Sequence, residues 1–121
     1  TILKDVTPGM RVVDEETFGP VAPITIVEDE REAIRFANNS EFGLGASIWT
    51  QDLDKAERLS RLVQSGIVTV NNVVMSDPRV PFGGIKNSGF GRELSKYGIL
   101  EFVNIKSVRF YDQLMRNHHV E

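Results

Sequence analysis

Glu16-Thr17-Phe18-Gly19-Pro20 places an acid and an aromatic ring two residues apart, just before a glycine–proline pair that forces a sharp change of chain direction. A carboxylate has two oxygens and can accept from both vicinal hydroxyls of a ribose, while a ring held beside it can face another planar ring. The same pentapeptide also suits a surface acid and a core phenylalanine beside a turn, and taken alone it favours that plainer reading. A second stretch, Pro81-Phe82-Gly83-Gly84-Ile85-Lys86-Asn87-Ser88-Gly89-Phe90-Gly91-Arg92-Glu93, holds four of the ten glycines. It is not the dinucleotide fingerprint, because no third glycine follows Gly89-Phe90-Gly91 at the required spacing. Nor is it a phosphate-cradling loop, which needs Lys where Phe90 stands. On spacing alone it is an irregular loop whose glycines supply left-handed backbone and close approach.

The elements that must position these residues follow from periodicity. Val21 to Val27 is an apolar, β-branched run broken by Pro23 and reads as a strand or a strand entry. Ala33, Ile34, Phe36 and Ala37 recur at helical spacing behind acids at 28–32, where the helix dipole favours negative charge; Asn38-Asn39-Ser40 closes that helix. Ala46 to Trp49 is a short strand. Asp52 can cap a second helix carrying Leu53, Ala56, Leu59 and Val63 on one stripe, with Gly66 at its C-cap. Ile67 to Val70 is a β-branched run expected to be buried on both faces. Strand, helix, strand, helix, strand with crossovers of this length implies an α/β architecture with parallel pairing. Residues 72–92 are then a long loop, and loops of that length in compact domains are functional or disordered. A short helix interrupted by Gly98 is expected from Glu93 to Leu100, and a long terminal strand from Phe102 to Tyr111.

Composition limits the function classes. At 121 residues and 40% apolar, one domain with a real core is expected. Residues 1–78 carry 13 acids and 7 bases, and residues 79–121 carry 4 acids and 7 bases, for a net charge of −3. The bases are scattered, so no nucleic-acid partner is expected. No apolar run approaches the ~20 residues of a membrane span, and no signal peptide is visible at the start. The absence of cysteine excludes disulfides and thiolate metal sites and fits a cytoplasmic protein; no metal site is expected. His118 and His119 are adjacent near the end and read as tail rather than ligands, while Trp49, Tyr97 and Tyr111 read as packing residues.

Four segments occur here in the order and spacing of the NAD(P)-dependent aldehyde dehydrogenases: Glu16 to Pro20, Phe42-Gly43-Leu44-Gly45-Ala46-Ser47, Gly66-Ile67-Val68-Thr69-Val70-Asn71, and the Pro81 to Glu93 loop. The chain resembles the C-terminal part of such an enzyme from about Asp5 to Val108. The resemblance implies a fragment of the three-layer α/β catalytic domain over residues 1–101 and a terminal oligomerisation strand and tail over 102–121. It further implies NAD or NADP bound mainly by a missing N-terminal part of the same polypeptide, and a homo-oligomer. In that family a cysteine thiolate attacks the aldehyde, hydride passes to the nicotinamide, and water releases the acid. The cysteine, the glutamate base and the cofactor fold have no counterpart here, so no catalytic residue is expected in this fragment, which should be inactive alone. Thr1 in place of an initiating Met agrees with a piece of a longer chain, as would a processed N-terminus.

Position by position, Glu16 resembles the acid that holds the nicotinamide-ribose hydroxyls and Phe18 the aromatic packed near the nicotinamide. Phe82 resembles a side chain of the substrate tunnel, and residues 73–80 the variable loop that shapes substrate choice. Ser76-Asp77-Pro78-Arg79-Val80-Pro81-Phe82-Gly83-Gly84 looks most like the succinate-semialdehyde dehydrogenase branch. A short aldehyde with a far carboxylate wants a hydroxyl and a cation, which Ser76 and Arg79 can supply; equally, Arg79 can be solvated and Ser76 can shape a turn. Asp77 is an unhelpful neighbour for a carboxylate. In some relatives the arginine matching Arg92 is braced by a glutamate on the last strand, where Asn104 stands here. The rival class is a non-enzymatic assembly or interaction module that keeps the fold without the chemistry.

Overall fold

The computed structural model describes residues 1–111. Ten short elements follow one another: β1 (Ile2–Leu3), α1 (Arg11–Asp14), β2 (Ala22–Pro23), α2 (Glu30–Asn38), β3 (Phe42–Gly43), β4 (Gly45–Ile48), α3 (Leu53–Ser60), β5 (Ile67–Val70), β6 (Ile85–Lys86) and α4 (Ser95–Leu100). Both long helices begin at an aspartate cap: Asp52 as expected from the sequence, and Asp29, which the acids at 28–32 did not single out. Asp29 accepts from the Glu32 N–H at 2.7 Å, and Asp52 accepts from the Lys55 N–H at 2.9 Å. Glu30 ties the two helices together through Arg58 Nη2 at 2.8 Å and Lys55 Nζ at 3.2 Å. Those contacts, the Arg58 hydrogen bond foremost, hold the Glu30 carboxyl below its ordinary range.

Parallel pairing is present, but the strands form three separate two-stranded ladders. β4 pairs with β5 in parallel, from Gly45 opposite Ile67 to Ile48 opposite Val70. β1 pairs with β2 in parallel, and β3 with β6 antiparallel. The run from 21 to 27 therefore yields only two strand residues and joins β1 rather than β4. Pro23 explains the brevity, since it has no N–H to give a further ladder. Asn71 fastens the end of the β4–β5 pair: it stands at φ 53°, which asparagine tolerates, accepts from the Thr50 N–H and donates to the Thr50 carbonyl.

Several sequence expectations change. Gly66 is not a helix cap, because α3 ends at Ser60 with Arg61 as its C-cap. Instead Gly66 leads into β5 and lies against the backbone of Gly83, so close that a Cβ there would meet the Gly83 carbonyl oxygen at 1.8 Å. Gly98 does not interrupt α4; it is buried inside it and donates to the Leu94 carbonyl. Residues 104–111 adopt no regular element and pair with no strand among the described residues, since a strand exists only against a partner ladder. His118 and His119 lie outside the described residues.

The expected core is thin. Val6 and Ala56 are the buried apolar side chains among the described residues, and β5 is only half-buried. Trp49, Tyr97 and Tyr111, expected to pack, are exposed because nothing among the described residues covers them. No helix among the described residues is long and apolar enough to cross a membrane.

Candidate functional site

Three consecutive acids stand at the end of α1, Asp14 its last residue, and their surroundings differ. Asp14 accepts from the Gly9 N–H at 2.8 Å. Glu15 receives both Arg11 Nε and Arg11 Nη2 at 2.9 Å, which raises the Arg11 pKa. Glu16 has no hydrogen bond or ion pair among the described residues. Its neighbours take the Gly9 N–H and the Arg11 guanidinium. Glu16 borders a hollow of about 300 Å³ with Ser40, Phe42, Gly43, Gln64 and Ser88. Phe18 is not part of that lining and stands 92% exposed just before Gly19.

The glycine-rich loop reaches the strands through backbone contact. Gly83 touches Gly66, and Ile85 covers Gly43, whose N–H donates to Ser88 Oγ at 2.9 Å. Gly89 and Gly91 provide the left-handed turns, at φ 114° and 81°. Lys86 Nζ donates to the Asn38 and Ser40 carbonyls at 2.9 Å each, meeting the negative end of the α2 dipole. Arg92 Nη1 donates to the Gly84 and Gly91 carbonyls, and the Arg92 N–H donates to Glu101. No hydrogen bond joins Arg92 to Asn104 among the described residues; main-chain carbonyls do the bracing. Ser88, Lys86, Asn71 and Glu101 escaped sequence reasoning. Only Asn71, a polar residue ending a β-branched run, carried a local signal.

Phe82 exchanges two 2.8 Å backbone hydrogen bonds with Glu93, and its half-buried side chain lines a groove of about 450 Å³ with Leu44, Phe90, Arg92 and Phe102. Ser76 and Arg79 line a different groove of about 780 Å³, beside Thr69, Asn72, Met75 and Asp77. The structure thus brings Ser76 and Arg79 together and sets Phe82 apart from them. Arg79 is largely exposed and paired with its neighbour. Asp77 accepts from Arg79 Nη2 at 2.6 Å, from Nε at 2.9 Å and from the Arg79 N–H at 2.9 Å. The Arg79 side-chain hydrogen bond pulls the Asp77 carboxyl down to about 2.

Residues 1–108 match the family model described as the aldehyde dehydrogenase family. The chain belongs to the aldehyde dehydrogenases. It is 50% identical over 111 residues to a succinate-semialdehyde dehydrogenase (NADP+) of Deinococcus radiodurans, covering 92% of this chain and 23% of that one. A succinate semialdehyde dehydrogenase (NAD(P)+) of Escherichia coli is 51% identical over 108 residues, covering 89% and 23%. The solved aldehyde dehydrogenase of Mycobacterium tuberculosis with NAD+ superposes at a TM-score of 0.80 with 40% identity, over 84% of this chain and 21% of that one. This aldehyde dehydrogenase chain therefore spans about a quarter of the length of these relatives. Its α/β form with parallel strands is a fragment of their fold, which explains the thin core and the isolated ladders: most of the layers that cover this family's sheet are outside these residues.

Proposed function

We propose that this chain is the C-terminal part of an NAD(P)-dependent aldehyde dehydrogenase that oxidises succinate semialdehyde to the dicarboxylic acid. The observation that carries the cofactor assignment is the free carboxylate of Glu16. A group that must hold two ribose hydroxyls has to be spared from internal pairing, and of the three adjacent acids only Glu16 is spared among the described residues. Phe18 is likewise unburied and can offer a ring face at the nicotinamide end. When bound, NAD or NADP accepts the hydride; the residues here hold and orient its nicotinamide end. The names of the Deinococcus and Escherichia coli relatives and the NAD+ in the Mycobacterium structure support the same cofactor class. The attacking thiol and most of the cofactor's binding surface belong to the preceding part of the polypeptide, because this chain has no cysteine and no dinucleotide fingerprint.

Replacing Glu16 by Gln in the full-length enzyme tests the assignment. The amide keeps an acceptor but loses the charge, which costs about 1–3 kcal/mol, or roughly 5- to 150-fold. The loss is expected in kcat or in the KM for the nicotinamide cofactor, with the KM for aldehyde little changed. Unchanged rate and cofactor KM would refute the ribose role.

Substrate choice rests on Ser76 and Arg79, the hydroxyl and cation of the larger groove, with Phe82 lining the neighbouring one as an apolar wall. Ser76→Ala and Arg79→Ala should each lower kcat/KM for succinate semialdehyde by about 1–2 kcal/mol, roughly 5- to 30-fold. The loss on butanal, which has no distal charge, should be much smaller. Equal losses on both aldehydes would make these residues structural.

A further inference from the structure

Asp77 and Arg79 are the two charged residues lining the larger groove, so between them they set its local field. Their arrangement is lopsided. The Arg79 side chain is largely exposed, whereas that of Asp77 is two-thirds covered and lies inward. Asp77 takes the Nε–Nη2 edge of the guanidinium, with Oδ1 and Oδ2 both engaged. That edge offers two parallel N–H groups, the geometry that grips a carboxylate at two points.

We propose that Asp77 determines the groove's affinity for carboxylate-bearing aldehydes, by acting as an internal carboxylate that competes with the substrate for Arg79. The inference rests on the reading of Arg79 as the substrate's anchor. A distal carboxylate entering the groove either displaces Asp77 from the two-point edge or settles on the remaining Nη1 side. In both cases it approaches a neutralised pair rather than a free cation. Arg79 keeps the Asp77 carboxyl ionised down to about 2, so acidification over an ordinary assay range does not release the competitor. Substitution does. Asp77→Asn retains an Oδ1 acceptor for the Arg79 N–H and preserves the turn, while removing the charge that opposes the substrate.

The experiment compares the full-length enzyme with its Asp77→Asn, Arg79→Ala and Asp77→Asn/Arg79→Ala variants, measuring KM for succinate semialdehyde and for butanal. Thermal melting confirms that each variant is folded. Asp77→Asn should lower the KM for succinate semialdehyde relative to butanal by about three- to tenfold, the scale of one unit charge acting over a few ångströms in a water-rich groove. The gain should vanish in the Arg79→Ala background. An unchanged or raised KM ratio in Asp77→Asn, alongside a raised ratio in Arg79→Ala, would overturn the competition and leave the anchor standing. No effect of Arg79→Ala on succinate semialdehyde would remove the anchor itself. A gain that persists without Arg79 would show that Asp77 acts through its charge alone, which also overturns competition for the guanidinium.

Discussion

Gly66→Ala should strongly destabilise the full-length enzyme. The position is not one of unusual backbone angle but of contact: an added Cβ would lie 1.8 Å from the Gly83 carbonyl oxygen, 2.8 Å from the Gly83 carbonyl carbon and 3.1 Å from Gly84 Cα. Every one of these atoms is main chain, so no side chain can rotate away. Overpacking a filled site costs about 1–3 kcal/mol, and a rigid partner puts this one at or above the top of that range. The damage should reach the site as well, because Gly83 carries Phe82 and Gly84, and the Gly84 carbonyl helps hold Arg92. Gly89→Ala is the control. It has open space around it but a φ of 114°, so it should cost only about 1–2 kcal/mol in backbone strain. Melting temperatures of both variants decide the matter; equal small shifts would mean that the Gly66–Gly83 approach is not structural.

If the full-length enzyme assembles as the homo-oligomer that the family resemblance implies, removing residues 102–121 should collapse it. Phe102 is 89% exposed, Ile105 86% and Phe110 93%, and residues 104–111 have no ladder partner among the described residues. A chain segment with apolar side chains on both faces and unpaired backbone groups is an aggregation hazard unless another strand covers it. Pairing with a second subunit would supply that cover. Light scattering should report a lower mass for the truncated enzyme, or its loss to aggregation. A soluble product of unchanged mass would assign the segment to its own subunit.

What could be read from the sequence was local. The helices of Glu30–Asn38 and Leu53–Ser60 were legible because an apolar spacing lies within a few residues of an N-terminal acid cluster in the first and of the Asp52 cap in the second. The parallel β4–β5 pair was legible from a short strand at 46–49 and a β-branched run at 67–70, separated by a helix. What failed to show depends on distant partners. The β3–β6 pair joins residues more than forty positions apart, and α1 is four residues long with no side-chain cap. Gly66 follows a helix closely enough to mimic its cap, yet its real constraint comes from Gly83. The expected terminal strand had the composition of a strand and lacked the partner that makes one. At the site, the residue types at 16, 18, 76 and 79 were readable. Which of three adjacent acids stays unpaired was not, because that depends on how Arg11 and the Gly9 N–H are oriented.

The reading as part of an aldehyde dehydrogenase that needs chemistry from outside this chain is tested most directly by turnover. Reduced nicotinamide should be measured from succinate semialdehyde with NAD or NADP, using residues 1–121 alone and the full-length polypeptide that contains them. The full-length protein is expected to turn over, and residues 1–121 alone to give no signal above a heat-killed sample, because they hold no thiol to attack the carbonyl. Turnover by the short chain would contradict the mechanism, and a full-length protein inert toward every aldehyde would make this fold a non-catalytic assembly module.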